Sequence, residues 1–139
     1  MLYADLSRLL DDCITTATKF VEEFGEFFPF AYVLKITGES VSTSAWDGDE
    51  HPPPESVIQQ LTSGLRRQAA EGRIIASAIC CDVAIGNSGS SEKHDALRVS
   101  LEHVNGDAFD IFLPYEKTAT GEIDHGEPYL EEKQPVIFI

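Results

Sequence analysis

Basic residues are scarce in this chain: of 139 residues only 10 are Lys or Arg, against 24 Asp and Glu, for a formal charge of −14. That deficit speaks against nucleic acid and against an anionic membrane surface as partners, because both would be repelled. Long apolar runs are missing too, none approaching the ~18 consecutive residues of a membrane span. The opening MLYADLSRLLDDC has no basic region before an apolar run and no small-residue cleavage site. The expectation is a cytoplasmic chain, neither exported nor anchored. Cysteine is limited to Cys13, Cys80 and Cys81. Neighbours on a strand point to opposite faces, so Cys80 and Cys81 are poorly placed to pair or to share a metal, and all three read as reduced core residues.

Catalytic signatures are lacking as well. No serine sits in a G-x-S-x-G elbow, no glycine-rich loop suits a phosphate, and no histidine lies near Cys80 and Cys81 in sequence. No cofactor and no metal are expected, although a site assembled from distant residues escapes such a search.

What the chain does have is an ordinary globular composition, 42% hydrophobic and 24% charged. One domain over residues 1–139 is expected, and a domain near this size buries about 68–70% of its unfolded surface without staples. Leu2, Leu6, Leu9, Leu10, Cys13, Ile14, Ala17, Phe20, Val21 and Phe24 recur at helical spacing, with Gly25 and Pro29 to end the helix. PFAYVLKI (29–36) and VSTSAW (41–46), joined by TGES, read as a hairpin. A second helix follows, with Val57, Ile58, Leu61, Gly64, Leu65 and Ala69 on one arc, Pro54 at its first position and Gly72 at its end. Residues 74–85 are apolar on both alternations, as in a strand covered on both sides.

In ALRVSLEHVNGDAFDIFLPY a two-residue turn at Asn105-Gly106 would bury Asp110 opposite Leu101. A three-residue loop, Val104–Gly106 with Gly106 left-handed, pairs Leu101 with Phe109, Val99 with Ile111 and Leu97 with Leu113 instead. Beyond Tyr115 the chain is acidic and turn-rich, and PVIFI reads as a last short strand. The fold class is α+β, an antiparallel sheet of five to six strands with two helices on one face, in the order α-β-β-α-β-β-β(-β).

Two groups of residues are candidate sites. In SAWDGDEHPPPES, Asp47, Asp49, Glu50 and His51 crowd together. Oxygen ligands so close suit a hard cation, but Pro52 stands where an EF-hand needs glycine and Ile58 where it needs glutamate. Prolines and acids before a helix also read as a helix entry favoured by the dipole. Arg98, Ser100, Glu102 and Asp110 share one face of the final hairpin, where they suit a small polar ligand, a partner's charge, or plain cross-strand pairs. His103 falls on the opposite stripe, as a structural histidine.

The motifs Phe28–Phe30, Gly38-Glu39, Asp49–Pro52, Gly64–Arg66, Asp82-Val83, Arg98, Leu101–His103 and Pro114-Tyr115 resemble those of a group of small acidic bacterial proteins. The element order is similar to that of roadblock and profilin-like domains, where two helices pack on a five-stranded sheet. That likeness implies dimerisation through the third strand and second helix, here residues 74–85.

The functional expectation is a non-enzymatic cytosolic binding protein, immunity-protein-like or regulatory, whose acidic surface meets a basic protein partner. The alternative is a small-ligand or metal-dependent enzyme using Asp47–His51.

Overall fold

The computed structural model describes residues 4–44, 53–86 and 93–139. Helices α1 (Ala4–Phe24) and α2 (Pro54–Ala70) accompany strands β1 (Phe30–Lys35), β2 (Ser40–Thr43), β3 (Ile74–Gly86), β4 (Lys93–His103), β5 (Ala108–Lys117), β6 (Ile123–His125) and β7 (Tyr129–Glu132). The strands form one antiparallel sheet in the order β2-β1-β3-β4-β5-β6, with β7 also on β5. The α+β class is therefore shown, with seven strands rather than five or six.

Helix α1 forms where the apolar spacing predicts it. Leu6, Leu9, Cys13, Ala17 and Val21 make its buried stripe. It ends at Gly25, whose φ of 80° only glycine adopts readily and whose N–H donates to the Val21 carbonyl at 2.9 Å. Helix α2 buries a narrower stripe, Val57, Leu61 and Leu65. Its end is a Schellman motif: Gly72 N–H reaches the Ala69 carbonyl at 3.1 Å and Arg73 N–H the Gln68 carbonyl at 3.0 Å. Strands β2 and β3 both run antiparallel to β1 and flank it, so they are parallel to each other and α2 is the crossover between them.

The β4–β5 register is the expected one. Leu97 pairs with Leu113, Val99 with Ile111 and Leu101 with Phe109. The turn is closed by Gly106 at φ 104°, whose N–H donates to the His103 carbonyl at 3.0 Å.

The placement of both helices on one face is corrected by the strand alternation. Phe30 and Leu34 of β1, with Ala76, Ala78, Cys80, Leu97, Val99, Leu101, Ile111, Leu113 and Tyr115, form a core with α1. Ala31, Val33 and Ile79, which point the other way, form a second core with Val57, Leu61 and Leu65 of α2. The helices thus cover opposite faces. This accounts within one chain for the two-sided apolarity of residues 74–85. Over Ala76–Cys80, moreover, β3 is paired on both edges, by β1 and β4.

One local irregularity changes a face assignment. Leu34 pairs with Ala76 but Lys35 with Ile74, which leaves Ile75 as a bulge residue. Ile74 consequently packs with α2 and Ile75 against the α1 core, the reverse of strict alternation along the strand.

The last strand is also corrected. PVIFI is not a strand; β6 and β7 come earlier, in the acidic stretch, end to end along the edge of β5. Their pairings, Ile123 with Lys117 and Tyr129 with Phe112, differ in register by a single residue, so the two are one edge strand interrupted at Gly126–Pro128. Every side chain of β7 is exposed, so no apolar alternation announces it, and a proline with flanking acids suits an edge that must not recruit further strands.

Candidate functional site: an aromatic cleft and a buried carboxylate

Of the residues singled out by sequence, Asp49, Glu50 and His51 lie, with Asp47, outside the described residues. Arg98, Glu102 and Asp110 do share the α2-side face, as alternation requires. Arg98 and Asp110 both lie close enough to act on the Cys81 thiol, whereas Glu102, four positions from Arg98 on β4 and about 13 Å along the extended chain, has other partners.

Glu102 is 2% exposed, and residues 133–138 are wrapped around its carboxylate. Lys133 Nζ donates to Oε2 at 2.8 Å, Val136 N–H to the same oxygen at 3.0 Å, and the N–H groups of Ile137 and Phe138 to Oε1 at 2.9 and 3.2 Å. Burial works to raise this carboxyl, yet the Lys133 ammonium and the Val136 and Ile137 N–H groups outweigh it and hold it below the ordinary glutamate value. The partner charge that this face invited is thus supplied from within the chain.

Asp110 accepts a hydrogen bond from the Ser100 hydroxyl across the β4–β5 pair. Arg98 faces Cys81 across β3–β4, and its Nε is buried without a hydrogen-bond partner among the described residues. Burial raises the Cys81 thiol, and the Arg98 guanidinium only partly offsets this. His103 Nε2 lies 3.1 Å from the Asp5 carboxylate of α1.

The residues that sequence reasoning passed over form a cleft. At the end of α1, against β1 and β2, a cavity of about 750 Å³ is lined by Phe20, Phe24, Phe27, Phe28, Phe30 and Tyr32, with Thr16, Glu26, Pro29, Ser42, Thr43, Ser44 and Pro54 at its sides. Its rings interlock: Phe20 meets Phe30 edge-on at 5.9 Å between centroids, and Phe27 meets Phe30 at 5.5 Å. Tyr32 is fixed by a 2.7 Å hydrogen bond between its hydroxyl and that of Thr16. Phe24 and Phe28 are left 69% and 47% exposed. Ser44 and Pro54 both line the cleft.

The available signal for this cleft was density rather than period: five of the eight phenylalanines fall between positions 20 and 30. Phe24 reads as the last member of the apolar arc, but the helix ends there and the sheet does not reach it.

Glu26 is the one charged side chain in the cleft's described lining. Nearby Asp82 accepts a 2.9 Å hydrogen bond from the Tyr115 hydroxyl; burial raises its carboxyl, and the charges of Asp95 and Glu26 raise it further. Burial, together with the Asp82 carboxylate, likewise pushes the Tyr115 hydroxyl well above its ordinary value.

Among the described residues, no three His, Cys, Asp or Glu side chains come together as metal ligands, and no helix is long and apolar enough to cross a membrane. No family model, no curated protein and no solved structure matches the chain.

Proposed function

We propose that this chain is a non-enzymatic interaction protein of the cytoplasm that binds a basic protein partner, as an immunity protein binds a cationic toxin. The aromatic cleft seats an apolar side chain of that partner, and the surrounding acids meet its positive charge. The carrying observation is the cleft itself. An opening of about 750 Å³ with two phenylalanines presented to solvent is the size of a ligand site and has the makings of an interface hot spot. The charge of −14 supplies long-range attraction for a basic partner and accelerates encounter at low salt. The resemblance to small acidic bacterial proteins is compatible with this reading.

The enzyme alternative, with Asp47–His51 acting alongside Arg98 and Glu102, gains nothing from Glu102, whose oxygens are already taken up. The test is capture from native cell extract on immobilised wild-type chain and on a Phe24→Ser/Phe28→Ser variant. A basic protein held by the wild type at low salt, released at raised salt and absent from the variant is the expected result. The same proteins on both columns would refute the cleft as the contact.

A further inference from the structure

We propose that the seat around Glu102 is a segment-binding site, filled here by residues 133–138 of the same chain, and that its occupant in trans is the same segment of a second copy. The proposal is independent of the cleft, which lies on the other face of the sheet.

The recognition chemistry is on view because the seat is occupied. One buried carboxylate receives a lysine ammonium and three successive backbone N–H groups, at 2.8 to 3.2 Å. Ile137, 2% exposed, enters the α2 core beside Leu65 and Ile79, and exposed Arg66 donates from Nε to the Val136 carbonyl at 2.9 Å. A segment with a cation four positions before a buried aliphatic residue is what this seat reads, and a second copy carries that segment by identity.

The element that delivers the segment is built to leave. Strand β7 holds only the edge of β5, and all four of its side chains are exposed. Gly126–Pro128 interrupts the edge strand just before β7 and provides a hinge. A Cβ at Gly126 would meet Pro114 Cβ at 3.3 Å, so a larger residue there requires Pro114 to give by a few tenths of an ångström. Detachment of residues 129–139 thus uncovers the β5 edge and the Glu102 seat together, and two copies in that state each close the other's seat, a symmetric exchange. Closure within one chain is favoured by its effective concentration, so exchange belongs to concentrated protein.

Complementation tests this with full-length chains. Ile137→Asp spoils the segment and leaves the seat intact; Glu102→Gln spoils the seat and leaves the segment intact. Wild type is expected to show a dimer fraction that grows with concentration in light scattering coupled to gel filtration, and each variant alone to show little. An equimolar mixture of the two is expected to recover a dimer holding one of each, since one good segment meets one good seat. If the mixture stays monomeric while circular dichroism shows both variants folded, the proposal is overturned. Should Ile137→Asp fail to fold, Ile137→Ala takes its place with the same two outcomes. A wild-type dimer that persists equally in Glu102→Gln would also overturn it.

Discussion

Ser77 and Glu102 are the two polar residues in the buried interior of the described chain, and they face each other across β3 and β4. Their accounts are opposite. Glu102 is saturated with donors, whereas the Ser77 hydroxyl has no partner among the described residues. An unsatisfied buried hydroxyl is a cost, so Ser77→Ala is predicted to leave stability unchanged or raise it by up to about 1 kcal/mol in urea denaturation. A loss of that size would mean the hydroxyl has a partner after all. The two carboxyls with shifted protonation behave in contrary directions with pH. Glu102 is held low, so its contribution is complete above the unfolded value and is lost as pH falls through the lowered one; Asp82 is held high, so its ionised form weakens the fold above its raised value. Asp82→Asn is therefore predicted to raise the melting temperature at neutral pH, with the gain shrinking in acid. An equal gain at all pH values would contradict the assignment. The burial of all three cysteines and the left-handed Gly106 were legible from residue type and spacing. The role of Glu102 was not, because its donors come from residues 31 to 36 positions away that carry no pattern pointing back to it.

Among the elements, those with one buried face were the readable ones. The β4–β5 hairpin announces its register because any slip buries Asp110 among leucines. Helix α1 announces itself by a stripe repeated over five turns. Strand β3 announces burial on both faces but not what covers each, so the second helix was placed on the wrong side. Strand β7 was invisible because exposed side chains on an edge have no period to show. Segment 133–139 misled in the other direction: PVIFI is rich in strand-forming residues, yet its N–H groups go to a carboxylate rather than to a ladder. Removing that acceptor's charge in Glu102→Gln is predicted to cost about 2–3 kcal/mol, the scale of hydrogen bonds to an ionised group. Hydrogen exchange offers the sharper readout. The amides of Val136, Ile137 and Phe138 should lose protection in the variant, and in the wild type as pH falls through the lowered Glu102 value, while β3 and β4 stay protected. Uniform loss across the sheet would show that the segment does not open separately.

At the scale of the whole molecule, charge and shape point the same way. The proposed reading joins the charge of −14 to the aromatic cleft with Glu26 at its side, and so calls for a group both apolar and positive. Composition disclosed the charge; the cleft required the fold, since Phe20 and Phe24 come from α1, Phe27 and Phe28 from the connection and Phe30 and Tyr32 from β1. The most direct measurement of this account is selection of a random-peptide display library on the immobilised wild-type chain, counter-screened on Phe24→Ser/Phe28→Ser. The account predicts enriched peptides that combine Lys or Arg with a large apolar residue, lose binding to the variant and weaken as salt is raised. Peptides without basic residues, or ones that bind variant and wild type alike, would contradict it.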